Sequence, residues 1–250
     1  MRRMMQQNVF EPIGFIESCF KERFGTPRQP GLVPSSWGQL RLRPELNLSE
    51  ALEGLEGFSH LWLIFVFHQN MNKGVNAKVQ PPRLEGEKTG LFATRTPHRP
   101  NPIGLSVVKL DRLEPGLLHF SGVDLIHGTP ILDIKPYVPA ADCLPEATAG
   151  WTAARPERTL QVEFTTAAVS QFELCFGAMA ARAQGAVKEL LELDPRPVFY
   201  RGTGDNPNPY TDTYGFRFDD YNIVYRMQGA LATVLSVQPW AEYLASKDRR

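Results

Sequence analysis

Four short stretches carry most of the polar residues whose types and spacing could do chemistry. The first is Pro27-Arg28-Gln29-Pro30-Gly31, and the second is the pair His68-Gln69 at the end of a strongly apolar run. The third is Thr94-Arg95-Thr96-Pro97-His98-Arg99-Pro100-Asn101-Pro102-Ile103-Gly104. The fourth runs from Asp124 through Ile126, His127, Gly128 and Thr129 to Pro130, and continues into Asp133, Lys135 and Tyr137. Proline restricts the conformations of such loops, so backbone N–H and C=O groups can be held ready for a ligand. Polar groups clustered in shaped loops beside apolar strands make a pocket with a few placed hydrogen bonds. Each residue also has a plain structural reading. Arg99 can tie loop carbonyls together, His68 can be a satisfied half-buried histidine, Asp124 can form an Asx turn, and Asp133 can pair with Lys135 on the same strand face.

The elements that must position these loops are mostly strands. Val9–Ile16, Gln39–Arg43, Leu91–Arg95, Ile103–Leu113, Leu117–Leu125 and Ile131–Val138 have strand-like patterning, with turn residues between them. His60–Phe67 is continuous, β-branched and aromatic, which predicts a strand buried on both faces. Ser49–Gly54 predicts a short helix, and the polar stretch Gln69–Lys88 a loop. Strand after strand with few helices between them predicts a barrel or sandwich.

Composition shifts at Pro139–Arg158, which is rich in Ala, Pro and Thr and reads as a linker. Beyond it, Leu160–Thr165 predicts a strand and Ala167–Leu193 a helix broken at Gly177 and Gly185. Tyr214–Phe218, Ile223–Met227 and Thr233–Val237 predict a small sheet. The expected organisation is a mainly β chain, with a barrel-like domain over 1–140, a linker over 141–158 and a smaller α+β domain over 159–250.

The bulk properties set outer limits. Hydrophobic residues make up 42% of the chain and charged ones 22%, enough apolar surface for a real core. Lys plus Arg and Asp plus Glu number 27 each, so the net charge is zero and nucleic-acid binding would depend on local charge. Cys19, Cys143 and Cys175 are odd in number and form no CxxC pair, which predicts a reduced cytoplasmic protein with neither a disulfide framework nor a metal site. The basic Met1–Gln7 start is followed by no apolar core of a signal peptide. The Leu61–Phe67 run falls far short of the ~20 residues that span a bilayer. GxGxxG, GxxxxGK[ST], HExxH and GxSxG are all absent, which disfavours doubly wound nucleotide enzymes, metalloproteases and esterases.

Taken as an ordered set, the four stretches resemble the TrmO family, also called TsaA-like or YaeB-like. The resemblance covers almost the whole chain. In the second domain it rests on Asp194-Pro195-Arg196-Pro197 and the aromatic-rich Asp219–Tyr225 hairpin. One departure is Ser18-Cys19-Phe20, where the family commonly shows Ser-Pro-Tyr. The resemblance implies a single antiparallel barrel-like sheet that binds S-adenosylmethionine, and homodimers with the site near the subunit interface. It also implies methylation of N6 in the threonylcarbamoyl-adenosine beside the tRNA anticodon. The implied donor contacts are Pro27, Arg28, Gln29, His68, Gln69, Arg99, Asn101, Asp124, Ile126, His127, Gly128 and Thr129.

Such chemistry makes definite demands. An arginine, Arg28 or Arg99, can fork onto the donor's carboxylate, and backbone groups of Asp124–Thr129 can read its adenine. The acceptor nitrogen is a weak nucleophile, so alignment supplies most of the rate and a base removes a proton. Asp133 is the first candidate for that base and Asp124 the second, with Lys135 and Tyr137 orienting it. Arg41, Arg43, Lys73, Lys78, Arg83, Lys88, Arg196, Arg201, Arg217 and Arg226 are candidates for holding tRNA. Tyr210, Tyr214 and Tyr221 are candidates for base stacking. Two other readings compete: a donor- or RNA-binding module that regulates without turnover, and a methyltransferase of this fold with another substrate.

Overall fold

A computed structural model describes residues 9–48, 50–70, 74–81, 84, 86–154, 160–197, 200 and 212–247. Lys73, Arg83, Arg201 and Tyr210 lie outside the described residues.

Six strands close into a barrel in the order β1-β2-β7-β6-β3-β8: β1 (Gly14–Ser18), β2 (Trp37–Leu42), β3 (His60–Val66), β6 (Ile103–Glu114), β7 (Leu117–Ser121) and β8 (Pro130–Pro136). Between β3 and β6 lies a minimal ribbon of β4 (Lys78–Val79) and β5 (Thr89–Gly90). Closure removes every free edge from the main sheet. All six pairings are antiparallel. The C-terminal ends of β1, β3 and β7 and the N-terminal ends of β2, β6 and β8 therefore open onto one end of the barrel.

The barrel interior follows strand alternation. Ile16, Leu40, Leu61, Leu63, Leu118 and Ile131 are fully buried there. β3 corrects the expectation of a strand buried on both faces. Leu61, Leu63 and Phe65 are buried, whereas His60, Trp62, Ile64 and Val66 are half-buried on the outer wall. Its apolar continuity reflects apolar residues on both walls. Leu91–Arg95, expected as a strand, begins with a 3-10 turn over Leu91–Ala93, closed by the Thr94 amide and hydroxyl, which donate to the Leu91 carbonyl at 3.2 and 2.7 Å.

The predicted linker contains two short helices, α1 (Pro139–Asp142) and α2 (Trp151–Ala154). Trp151 Nε1 donates to the Ala93 carbonyl at 2.8 Å, which rests α2 on the barrel-end loop. The C-terminal part has the sheet order β10-β11-β12-β9: β9 (Gln161–Phe164), β10 (Thr213–Phe218), β11 (Tyr221–Gln228) and β12 (Leu231–Pro239). Against it pack α3 (Thr166–Phe176) and α4 (Ala180–Glu192), and α5 (Trp240–Lys247) follows β12. Thr165 caps α3 by accepting from the Ala168 amide at 3.1 Å. The predicted helix break occurs at Gly177, where φ is 51°, but α4 runs through Gly185 without interruption. No helix among the described residues is long and apolar enough to cross a membrane.

Candidate functional site

The first three polar stretches and the Asp124–Thr129 part of the fourth lie at one end of the barrel, in its three connections: 19–36 between β1 and β2, 67–102 between β3 and β6, and 122–129 between β7 and β8. Hydrogen bonds knit these connections together. Arg95 donates to the Gln29 side-chain oxygen at 2.8 Å, and Arg23 donates to the Gln69 side chain at 3.1 Å and its carbonyl at 2.5 Å. The Gly31 amide donates to the Gly122 carbonyl at 2.9 Å, and the Phe67 amide to the Pro102 carbonyl at 2.7 Å.

Asp124 is the buried-side charge of this cluster. Its Oδ1 accepts from Ser106 Oγ at 2.7 Å. Burial disfavours the carboxylate and pushes its pKa up to about 6, against the opposing pull of the Ser106 hydroxyl and the nearby Arg95. His68 is half-buried, and burial together with the Arg23 charge lowers its pKa, so it favours the neutral ring. His127 is likewise held low by burial and by Lys21, whose ammonium lies 3.3 Å from its Nδ1.

The 124–129 loop is tied back to β1. His127, Gly128 and Thr129 amides donate to the carbonyls of Phe20, Ile16 and Ile126 at 2.7, 2.8 and 3.1 Å. The Thr129 hydroxyl also donates to Ile126 O at 2.6 Å, and Ser18 Oγ donates to Leu125 O at 2.7 Å. Those three amides are therefore spent on the loop's own shape rather than on a ligand. Arg99 fulfils its plain reading in part: it donates to the Thr94 carbonyl at 2.8 Å and lies 5.5 Å over the Phe92 ring. Arg28 and Asn101 are exposed on the same barrel end, and Pro27 is buried beneath them.

Asp133, Lys135 and Tyr137 do not join this cluster within one chain. A bulge at β8 pairs Ile64 with Asp133 and Trp62 with Lys135, which puts both side chains on the outer wall. Asp133 and Lys135 form an ion pair at 2.8 Å, with side-chain exposures of 48% and 62%. Tyr137 stands at the opposite end of β8, its ring 5.8 Å from Trp62.

Sequence reasoning missed Arg23, Asn70 and Ser106. Asn70 is buried beside Gln69, and its side-chain oxygen has no hydrogen-bond partner among the described residues. An orphaned buried acceptor at the mouth of a polar loop cluster suits a donor-rich ligand. The exposed arginines of the same barrel end suit an anionic group. The loop cluster thus fits S-adenosylmethionine, whose ammonium and carboxylate need those two partners.

The candidate RNA-contacting residues divide. Arg196 is buried and pairs with Asp194 at 2.8 Å, and Tyr221 donates to the Cys175 carbonyl at 2.5 Å; both are structural. Tyr214 stacks on Tyr225 with centroids 5.5 Å apart. Arg43, Arg217 and Arg226 face Glu45, Asp220 and Asp212, and Arg41 faces Glu17. All four pairs include a well-exposed side chain, where water screens the attraction and the arginine can exchange partners.

A closed barrel with its polar loops at one end, joined to an α+β unit, is a mainly β architecture unlike the doubly wound sheet of nucleotide enzymes. The chain belongs to the tRNA-methyltransferase O family. The model of its N-terminal domain matches residues 15–143 and that of its C-terminal domain residues 157–240. The Escherichia coli tRNA (adenine(37)-N6)-methyltransferase is 40% identical over 240 residues, covering 94% of this chain and all of that protein. A provisionally assigned S-adenosylmethionine-dependent methyltransferase of Pseudomonas aeruginosa is 45% identical over 213 residues, 85% of this chain and 89% of its own length. The crystal structure of TrmO from Pseudomonas aeruginosa superposes with a TM-score of 0.76 at 39% identity, covering 94% of this chain and 99% of that one.

Proposed function

We propose that this enzyme, an S-adenosylmethionine-dependent tRNA adenine-N6 methyltransferase, acts on threonylcarbamoyl-adenosine beside the anticodon. The observation that carries this reading is that both family models match in order along a chain whose polar loops gather at one barrel end. The regulatory alternative is not favoured, because the full-length relative is named as an enzyme.

The division of labour follows the fold. The barrel over 1–140 binds the donor, the 141–158 segment joins the parts, and 159–250 contacts tRNA. When bound, S-adenosylmethionine supplies an electrophilic methyl group. Arg28 would hold its carboxylate and Asn70 its ammonium, while Pro27, Gln29, His68, Gln69, Arg99, Asn101 and the Asp124–Thr129 loop would shape the walls. Asp124 accepts the N6 proton, since a carboxylate poised near pH 6 is both ionised and basic at neutral pH.

The outer wall of β3 and β6 supports a homodimer. Ile64 and Val66 pair with Leu105 and Ile103, which are 50% and 45% exposed, so the wall presents contiguous apolar surface. A second copy is the occupant that the family resemblance implies. Asp133, Lys135 and Tyr137 lie along this wall and reach the chemistry only across that interface. The three cysteines form no disulfide, which suits the cytoplasm, where tRNA is also found.

The direct test is transfer of labelled methyl from S-adenosylmethionine to tRNA with and without threonylcarbamoyl-adenosine. Label confined to the modified tRNA supports the reading. Equal label in both removes the substrate preference, and no label in either removes the activity.

A further inference from the structure

We infer that the C-terminal unit shapes the methyl-donor loop, with Glu189 and Arg182 of α4 acting as positioning residues for Arg28 and Gln29. The inference rests on the reading that the 27–31 stretch contacts the donor.

That stretch lies within the connection from β1 to β2, and both limbs of the connection are held by residues far downstream. On the limb entering β2, the Glu189 carboxylate accepts from the Ser35 amide at 2.8 Å and from Ser35 Oγ at 2.7 Å. Arg182, two helical turns earlier on the same face of α4, donates to the Ser35 carbonyl at 3.0 Å and the Ser36 carbonyl at 3.1 Å. The amide, carbonyl and hydroxyl of Ser35 are thus all bonded to α4. The Arg182 guanidinium also donates to Ser121 Oγ at 2.8 Å and sits 5.8 Å over the Trp37 ring, which locks it in place. Between the two contacts, a Cβ on Gly185 would lie 2.9 Å from Ser35 Oγ, so this approach of helix to loop needs glycine.

The limb leaving β1 is held by the β10–β11 hairpin. The Asp219 amide donates to the Cys19 carbonyl at 2.7 Å, and Lys21 pairs with Asp219 at 3.4 Å. Phe20 and Phe24 meet Phe218 and Phe216 edge-on, at 6.0 and 6.3 Å between centroids. Gly25 has φ of +87°, and a Cβ there would stand 2.7 Å from the Phe216 ring. The barrel end holds the same connection along its length, through Phe20 to His127, Arg23 to Gln69, Gln29 to Arg95, Gly31 to Gly122 and Ser36 to Val123, so the C-terminal contacts add to an existing frame.

The loop's geometry is therefore a joint product of two parts of the chain. Glu189 and Arg182 act on the loop through Ser35 and Ser36, and their bonds restrict the limb that enters β2. Outer-shell contacts that orient metal ligands are worth about 10- to 100-fold in metal affinity, and by the same logic a small misplacement of a binding group here carries a penalty.

The test uses the full chain with Glu189→Gln, Arg182→Lys and Ser35→Ala, and Gln29→Ala as the direct-contact control. Calorimetry reads the affinity for S-adenosylmethionine and S-adenosylhomocysteine, well below each variant's melting temperature. The expected result is roughly tenfold weaker donor binding in Glu189→Gln. Amide exchange should quicken over residues 25–36, and KM for tRNA should stay within about twofold. The double variant Ser35→Ala/Glu189→Gln should be no weaker than Glu189→Gln alone, because both act through one contact. If Glu189→Gln does not fold, Ser35→Ala, which removes one of the two bonds, carries the measurement. Unchanged donor affinity in Glu189→Gln and Arg182→Lys, with weakened binding in Gln29→Ala, overturns the inference alone. Unchanged affinity in Gln29→Ala as well overturns the donor-loop reading and the inference with it.

Discussion

The Arg95 guanidinium donates to the Gln29 side-chain oxygen at 2.8 Å, joining two loops that lie 66 positions apart in the chain. The bond is exposed, so its contribution to global stability is small, but it fixes the two loops relative to each other. Arg95→Ala is expected to weaken donor binding about tenfold, equivalent to about 1.4 kcal/mol, with little change in melting temperature. Calorimetric titration with S-adenosylhomocysteine checks this, and a change smaller than about twofold would remove the bond from the donor site.

Asp124 and Asp133 make opposite predictions as proton acceptors. Asp124→Asn is expected to lower kcat by about 100-fold or more and to abolish the rise in rate as pH passes through about 6. Asp133→Asn is expected to stay within a few-fold, because its carboxylate is on the outer wall with Lys135. A full pH–rate profile of both variants decides. Collapse in Asp133→Asn with normal donor binding would move the base to the outer wall and to a shared site.

The same raised pKa has a stability signature. Asp124 gives up its proton near the usual carboxylate range when unfolded and at about 6 when folded. The native state therefore binds more protons than the unfolded state between those values, and this group's contribution to stability falls as pH rises through that window. Above it the contribution is constant. Melting temperatures measured across that window should slope downward more steeply in the wild type than in Asp124→Asn. The variant should gain roughly 1–3 kcal/mol at neutral pH. Parallel slopes would mean that the carboxylate is solvated.

Asp194 and Arg196 form a buried, two-pronged ion pair, at 2.8 and 3.0 Å, with Arg196 lying 5.5 Å over Tyr214. Asp194→Ala removes the carboxylate that faces a buried guanidinium and is expected to destabilise the fold by about 3–5 kcal/mol. Chemical denaturation measures it. A loss under about 1 kcal/mol would show that Arg196 finds other compensation.

Leu105 lies on the apolar outer wall of β6, half exposed. If the proposed dimer forms through this wall, a charge placed there, as Leu105→Glu, is expected to leave monomers without unfolding the barrel, because the side chain points away from its core. Light scattering reads the mass, and an unchanged dimer would exclude this wall as the interface.

The barrel strands were legible because alternation of apolar and polar residues survives in a sheet with one wet face. The polar loops were legible because proline and glycine mark where strands stop. β3 misled, since its outward residues Trp62, Ile64 and Val66 are as apolar as its inward ones, and composition cannot tell a buried face from an apolar exposed one. The position of Asp133 was likewise not legible. Its motif context marks it, but the bulge that pairs it with Ile64 and turns it outward is a property of strand register. Arg23, Asn70 and Ser106 carry no local signal at all, because each matters only through a partner distant in sequence or through burial.

By itself the sequence determined which segments are strands, which are rigid loops, which family the motifs resemble and what reaction they imply, since these depend on local pattern and on residue identity. The tertiary structure alone decided that the loops share one barrel end, that Asp124 lies among them while Asp133 lies on the outer wall, and that Ser35 is held by α4. These outcomes depend on the direction of each strand around a closed barrel and on the packing of two units against each other. Neither quantity is encoded within any short window of the chain.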